Sequence, residues 1–331
     1  MSFFFERNAD LYVSDVLSGW NSGNTDKIPL KSGFSFNSEA VLSQVQRNTI
    51  KETDSRSLTK YSSKEGLVNF NFSTYINTSQ PSTNVEGVDR YLWKALGNYT
   101  PGVSFAEIDF TSTNTANAQE ITIWVKFPGK TTYRFNQCVI TSADVIGTIN
   151  DLTHISWSGI ARSVTNLGDV TINHSELAYD KYTFNKLSTV SMVLNSITYD
   201  LPITNYSLNL KNDVFFVYRG KIGQIQTITG QYTGSREISG FVTAYLKTGT
   251  NKSMELFEAL RSVSNDLENN SANFTIYSGD SSNTHAEFIM PNTVFEVPSN
   301  EFNDLITIRI PFFASESSKG LADELTIRYY M

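Results

Sequence analysis

The sequence predicts a mainly β protein made of two tandem units, each a β-sandwich or barrel-like domain with one flanking α-helix. Three observations support this prediction: short runs of alternating apolar and polar residues, only two helical stretches, and segments in the second half that match segments in the first. With 331 residues, of which 40% are hydrophobic and 13% aromatic, the chain is long enough for two ordinary packed domains or for one large all-β domain.

Strand-like runs recur along the whole chain. Examples are Ile121–Phe127, Phe241–Leu246 and Leu305–Ile310, which are rich in β-branched and aromatic residues and are separated by polar stretches with Gly, Asn or Ser. Two segments, Val88–Gly97 and Lys252–Leu267, instead have apolar residues at spacings of three and four. We therefore expect strands almost throughout, with one helix in each half.

The second half repeats the first as five matched segments in the same order. The matched pairs are Lys27–Asn37 with Asp200–Asn209, Gly66–Thr78 with Glu237–Thr248, Trp93–Leu96 with Phe257–Leu260, Ile121–Val125 with Ala272–Tyr277, and Asn150–Ala161 with Asn303–Ala314. Their offset drifts slowly, as small loop insertions would make it, so we infer an internal duplication. The predicted domains are residues 1–168 and 169–331.

Alternation within the matched strands separates apolar from small polar side chains. In the stretch GFSFN, Phe34 and Phe36 lie on one face and Ser35 and Asn37 on the other. A half-buried sheet gives this pattern. Because the polar positions hold Ser, Asn and Thr with few charges, two interpretations stay open: an ordinary solvent-facing surface, or a wet and neutral surface such as the lining of a conduit.

A long charged segment, residues 47–65, separates two matched strands of the first half. It contains the apolar residues Ile50, Leu58 and Tyr61, and unstructured loops of this length are uncommon in compact domains. It is either a loose surface loop or a hairpin arm whose three apolar residues contact a neighbouring subunit.

The C-terminal segment, residues 316–331, has no counterpart in the first half. Leu325, Ile327 and Tyr329 alternate with polar residues, as in a strand. We predict that this arm adds a strand to the sheet edge of a neighbouring subunit.

Composition and motifs give no support to an enzyme. The net charge of −7 argues against tight binding of nucleic-acid phosphates. Cys138 is the only cysteine and the three histidines are isolated, so we expect no disulfide, no metal site and no cofactor. Phosphate-loop and nucleophile-elbow motifs are missing. The start of the chain is not a signal peptide and no run is long enough for a membrane helix, which predicts a soluble protein made in the cytoplasm.

Taken together, these features resemble the tail tube (major tail) proteins of long-tailed bacteriophages, in the variant whose tube domain is duplicated. The resemblance is carried by the strand IPLKSGFSFNSEAVLSQV, the charged loop, the returning strand GLVNFNFSTYI, the helix DRYLWKAL and the strands that end in NDLTHISWSGIA. The second half repeats this order. One departure is its short predicted loop, Arg219–Glu237, with four glycines.

The resemblance implies a structural virion protein without catalytic residues. Three chains would supply six domains to each ring, and the rings would stack into a tube through which double-stranded DNA passes into the host without sequence-specific binding. Other expected partners are the tape measure, tail terminator and distal tail or baseplate proteins, with assembly in the host cytoplasm. The residues expected to face the lumen are Ser35, Asn37, Asn69, Asn71, Ser73, Ser207, Asn209, Ser239 and Thr243.

Two other classes stay open at this point. A baseplate, adhesin or carbohydrate-binding module with two β domains would show exposed aromatic residues on its loops. A hydrolase on a β scaffold would need convergent carboxylates or a histidine constellation in a groove.

Overall fold

The computed structural model describes residues 9–17, 19–20, 23–38, 41–46, 58–64, 66–80, 83–110, 119–175, 188–194, 196–220, 227–263, 271–280, 284–302 and 305–331. Within these residues the protein is mainly β with two helices, which confirms the predicted class. The ladders between its strands are antiparallel, as expected for units linked by hairpins and short connections.

Strands follow one another closely in both halves, and one helix interrupts each half. The described elements of the first half are β1 (Asp10–Ser14), β2 (Thr25–Ile28), β3 (Leu30–Ser38), β4 (Val41–Gln46), β5 (Leu58–Lys64), β6 (Val68–Tyr75), β7 (Thr78–Ser79), β8 (Glu86–Gly87), α1 (Arg90–Lys94), β9 (Asn98–Thr100), β10 (Phe105–Asp109), β11 (Ile121–Phe127), β12 (Thr131–Thr148) and β13 (His154–Asn166). Those of the second half are β14 (Thr189–Leu194), β15 (Ile197–Asp200), β16 (Ile203–Arg219), β17 (Thr227–Tyr245), α2 (Ser253–Val263), β18 (Ser271–Gly279), β19 (His285–Phe295), β20 (Ser299–Phe302), β21 (Ile306–Ser315) and β22 (Thr326–Tyr330).

Both helices lie inside the segments predicted for them. Helix α1 is shorter than the predicted Val88–Gly97, and it is followed at Gly97 by a close approach of two chain segments, where a Cβ would come within 2.7 Å of the Asp109 carbonyl oxygen. Helix α2 ends at Val263, and the last predicted helical residues, 264–267, lie outside the described residues.

Eight strands form one continuous sheet through both halves, which we call the shared sheet. Its order is β3–β6–β13–β12–β16–β17–β21–β20. The halves meet where Ser142–Thr148 of β12 pair with Asn205–Lys211 of β16. Among the described residues no ladder joins β3 to β20, so the sheet stays open instead of closing into a barrel within the chain.

The two halves of the shared sheet have largely the same register. Most cross-strand pairs in the first half have a counterpart in the second, and the one-residue shift between Ile140 and Ser142 recurs between Phe295 and Ser299. The shift between Ser32 and Ser35 of β3 has no counterpart in β16. Corresponding pairs are Asn37–Asn69 and Asn209–Ser239, Tyr75–His154 and Tyr245–Thr307, and Asp144–Ser156 and Ser299–Arg309.

Further strands form a second layer, which we call the flanking sheet and which also spans both halves in the order β9–β10–β22–β19–β18–β14–β15. It is continuous with the shared sheet where the end of β19 pairs with β21. Within the flanking sheet, the C-terminal strand β22 pairs with β10 of the first half on one side and with β19 of the second half on the other. The C-terminal strand therefore joins the two halves of its own chain.

This arrangement corrects our prediction for the C-terminal arm. Leu325, Ile327 and Tyr329 were expected to contact a neighbouring subunit, but they are at most 1% exposed and lie in the core of the same chain. The physical reason is that β10 and β19 present two facing open edges one strand apart, and β22 satisfies the backbone groups of both.

One hydrophobic cluster contains buried residues from both halves. Trp93 of α1 packs edge-on against Trp157 of β13 with ring centroids 4.8 Å apart, and Phe274 of β18 contacts Phe312 of β21 at 4.9 Å. Because the two halves share this core and their strands pair with each other, the fold gives no separate evidence for a domain boundary at residue 168. That boundary stays a prediction, which rests on the matched sequence segments.

Candidate functional site

One face of the shared sheet carries small polar side chains in rows across its strands, and we call it the polar face. The first row reads Ser35, Asn71, Ser158, Ser142, Lys211 and Glu237. The second reads Ser73, Ser156, Asp144, Asn209 and Ser239. The opposite face of the same strands supplies Phe70, Phe72 and Trp157 to the core, which explains the alternation in sequence.

Side chains on the polar face bond to one another across strands. The Ser35 hydroxyl donates to Asn71 Oδ1 at 2.7 Å, and the hydroxyls of Ser73 and Ser156 lie 3.0 Å apart. At the joint between the halves, Asn209 Nδ2 donates to Asp144 Oδ1. These mutual bonds hold the side chains in place and leave fewer free donors for a ligand.

All nine residues predicted to line a lumen lie on the polar face, but their exposure differs. Ser35, Asn37, Asn69 and Asn71 are exposed, while Ser73, Ser207, Asn209 and Ser239 are half-buried. Thr243 is only 5% exposed because it lies in register between the longer side chains of Asn205 and Arg309. In this chain Thr243 therefore does not present the open surface that we predicted.

The polar face of the second half also contains bulky residues that the sequence analysis missed. The Arg309 guanidinium lies 3.7 Å from the ring centroid of Phe241, and Phe313 is 43% exposed. A cation over an aromatic ring is a favourable contact. The period-two pattern of β21 places Arg309 and Phe313 on this face, so their position there could have been predicted from the sequence.

One end of the polar face carries a small charged group. Lys31 Nζ lies 2.9 Å from His154 Nδ1 and 3.6 Å from an Asp151 carboxylate oxygen. Burial, and then the Lys31 charge, lower the pKa of His154. His154 is therefore neutral at pH 7 and adds no positive charge to the face.

The two end strands of the shared sheet have open edges. Among the described strands, β3 pairs only with β6, and β20 pairs only with β21. Phe36 on β3 is 45% exposed, whereas Leu208, its counterpart at the joint between the halves, is 1% exposed beside β12. An exposed aromatic residue on an edge strand lies beside unpaired backbone groups that could bind a further strand.

Each half also extends two strands into an arm. In the first half β4 pairs with β5, with Leu58 opposite Gln46 and Tyr61 opposite Ser43, while Ile50 lies outside the described residues. Part of the charged segment, β5, is therefore a strand that pairs with β4 just before the segment, and whether the segment contacts a neighbouring subunit stays a prediction.

The second half has an arm where we predicted a short loop, so that prediction was wrong. Residues 212–219 of β16 pair with residues 227–236 of β17 beyond the shared sheet. The glycines suggested a loop, but Gly234 provides close packing instead, since a Cβ there would come within 2.7 Å of the Phe215 ring. We call this ribbon the second arm.

The second arm has an apolar side exposed to solvent. Phe215, Val217 and Tyr232 are between 45% and 48% exposed, and the rings of Phe215 and Tyr232 stack with centroids 5.1 Å apart. On the other side Ile228 is 4% exposed, and its carbonyl oxygen accepts a hydrogen bond from Arg162 of the first half.

A buried polar cluster, which the sequence analysis missed, anchors the C-terminal strand to α1. Trp93 Nε1 donates to the Tyr329 hydroxyl at 2.6 Å, and that hydroxyl donates to Asp89 Oδ2 at 3.1 Å. Burial raises the pKa of Asp89 to about 7, against the opposing effect of these hydrogen bonds. The contacts span about 240 positions of sequence, so no local pattern could reveal them.

Within the described ranges, no group of three or more His, Cys, Asp or Glu side chains is arranged to hold a metal ion. Cys138 is buried, and burial raises the pKa of its thiol well above the ordinary value. None of the helices described is both long and apolar enough to cross a membrane.

Comparison with known proteins adds one relative. No protein-family model matches the chain. The tail tube protein pb6 of Escherichia phage T5 is 22% identical over 352 aligned residues, which cover 98% of this chain and 75% of the relative. This similarity confirms the resemblance to tail tube proteins of long-tailed bacteriophages that the order of strands and helices indicated.

Proposed function

We propose that this chain is a structural, non-enzymatic subunit of a phage tail tube. Three chains form a ring of six similar units, and stacked rings form a conduit for the genome. The protein acts in the virion after assembly in the host cytoplasm, in contact with further copies of itself and with the proteins at the two ends and in the lumen of the tail.

The observation that carries this proposal is the joint between β12 and β16. Two units with largely the same register are hydrogen-bonded side by side into one sheet, and the outer edge of the strand at each end has no partner among the described strands. A unit that pairs with a copy of itself in this way can repeat until the sheet closes, which removes both open edges. The similarity to the T5 tail tube protein supports the tail tube role.

The polar face suits the wall of a DNA conduit. It carries mainly serine and asparagine, its Lys211 and Glu237 are direct cross-strand neighbours, and three pairs of its other polar side chains bond across strands. Such a wall holds no dense positive charge that would retain phosphates. The chain's net charge of −7 likewise disfavours retention of DNA phosphates.

The arms suit contacts between successive rings. An isolated two-stranded ribbon is only marginally stable in water, and the second arm leaves Phe215, Val217 and Tyr232 exposed. The opposite end of the shared sheet exposes Ile149, Leu305 and Ile306, the last two at 61% and 41%. A contact between two different ends of one subunit generates a filament rather than a closed dimer.

Electron microscopy of the purified chain tests the proposal. We expect tubes, or rings of three chains with a central hole. The double variant Phe215→Ser with Tyr232→Ser should still form rings but give few tubes. Val103→Ser is the matched control, because Val103 is 71% exposed on a turn away from the arms. Compact particles without a hole for the wild-type chain would refute the proposal.

The lining is tested separately with Asn69→Lys and Asn71→Lys. Added lysines on the polar face should slow DNA release from assembled phage without changing tube formation, because they bind phosphates. Thr100→Lys on the flanking sheet is the control and should leave ejection unchanged. Unaltered ejection kinetics in the first two variants would contradict a lumenal position for these residues.

The tryptophans do not support the competing carbohydrate-binding module. Trp93, Trp124 and Trp157 are fully buried, and Trp20 packs edge-on against Trp124 at 5.9 Å. All four lie within the described residues. The aromatic platforms that such a module uses to stack sugar rings would have to come from other side chains.

A further inference from the structure

We propose that adjacent chains in the ring join β3 of one chain to β20 of the next in one defined register, with Asn37 opposite Ser299. The inference rests on the proposed function. It adds which two strands pair between adjacent chains, a contact that we call the seam, and which residues lie opposite each other there. Its partner is a second copy of this chain.

The register follows from the joint that the chain already contains. At that joint Asn209 of β16 pairs with Asp144 of β12. The counterpart of Asn209 in the first half is Asn37, since each pairs with the next strand at corresponding positions. The counterpart of Asp144 in the second half is Ser299, which pairs with Arg309 as Asp144 pairs with Ser156.

The neighbouring pairs extend the same alignment. Leu208 pairs with Val145 at the existing joint, and Ser207 pairs with Ile146. The corresponding seam pairs are Phe36 with Asn300, and Ser35 with Glu301. The polar residues Ser35 and Asn37 then continue the polar face across the seam, because a register that preserves their alternation keeps them on one side.

The strands at the seam are free to pair. Ser35, Phe36, Asn37, Ser299 and Asn300 are all exposed, and each of the two strands has one neighbour among the described strands. Other end strands are less suitable: β2 and β15 make further bridges at Asp26 and Asp200, and β9 has only three residues.

Pairing at the seam also accounts for Phe36. Its counterpart Leu208 is buried at the joint by the adjacent strand β12. Closing the seam would place β20 beside Phe36 in the same way and remove its ring from water, which is favourable for a large apolar side chain.

Cysteine cross-linking tests the register. Residues directly opposite on antiparallel strands have Cβ atoms close enough for a disulfide. We use two in-register variants, Asn37→Cys with Ser299→Cys and Phe36→Cys with Asn300→Cys, because hydrogen-bonded and non-hydrogen-bonded pairs alternate and differ in spacing. The control, Asn37→Cys with Asn300→Cys, is one residue out of register and places the thiols on opposite faces. Native Cys138 is fully buried and should not react.

After oxidation of assembled rings, at least one in-register variant should shift on a non-reducing gel from one-chain to three-chain mass, and the control should not. Electron microscopy of the reduced variants verifies that they form wild-type rings. Wild-type rings with no cross-link in either in-register variant, or with a cross-link in the control alone, would overturn the register but leave the proposed function intact. Absence of rings from the wild-type chain would overturn both.

Discussion

Replacing Asp89 by Asn should remove a pH dependence from the stability of this chain. Asp89 is 1% exposed, its Oδ2 accepts the Tyr329 hydroxyl hydrogen, and its Oδ1 has no hydrogen-bond partner within the described residues. Although Asp89 precedes α1, its side chain makes no capping hydrogen bond to the helix. Replacing it by Asn therefore removes no capping interaction. Burial raises the carboxyl pKa to about 7.

The direction of this pH dependence follows from the protons that the folded and unfolded chains bind. The folded chain holds the Asp89 proton up to about pH 7, whereas an unfolded chain releases it near pH ~3.9. Stability from this group is therefore fully present below about pH 4 and is lost as the pH rises to about 7. The total loss is about 4 kcal/mol, since a tenfold change in proton affinity is worth roughly 1.4 kcal/mol.

Urea unfolding of the unassembled chain, followed by tryptophan fluorescence between pH 4 and 8, measures this effect. The free energy of unfolding of Asp89→Asn minus that of the wild type should rise by up to about 4 kcal/mol over this range and level off above pH 7. Asp169→Asn, at an exposed site, is the control and should change by less than about 0.5 kcal/mol. A difference for Asp89→Asn that stays constant with pH would refute the reasoning.

Two further substitutions test the joint and the buried ion pair. Gly147→Ala would place a Cβ 2.2 Å from the Tyr206 ring, and we expect a loss of about 1–3 kcal/mol in urea unfolding, whereas Gly230→Ala, with open space around it, should be nearly neutral. Arg90→Leu would leave Asp26, which is fully buried, without its bidentate guanidinium partner and should cost about 3–5 kcal/mol. Adding Asp26→Asn should recover part of that loss, and no recovery would contradict the ion-pair explanation.

Period-two alternation was sufficient to identify the matched strands and to assign their side chains to faces. Because successive side chains of a strand point to opposite sides, the polar positions of GFSFN and NFNFS could be assigned to one face before any coordinates were known. The matched segments Gly66–Thr78 and Glu237–Thr248 contain Tyr75 and Tyr245, and these two residues also correspond in the cross-strand register.

The alternation of apolar and polar residues does not show how much of a side chain is covered by residues of other strands. Thr243 follows the pattern but is buried beside Arg309, and the glycines in residues 219–237 suggested a loop where a long ribbon forms. In both cases the outcome depends on the side chain or strand that lies opposite, which is distant in sequence.

The sequence by itself determined the strand class, the two helices, the order of matched segments and the polar face, since each depends on the local period of side chains. Tertiary structure alone decided which edges are used within the chain. It placed β22 between β10 and β19, joined β12 to β16, and brought Asp89 to Tyr329. The reason is that an edge strand carries the same backbone donors and acceptors whatever its sequence, so its partner is selected by geometry across the whole chain.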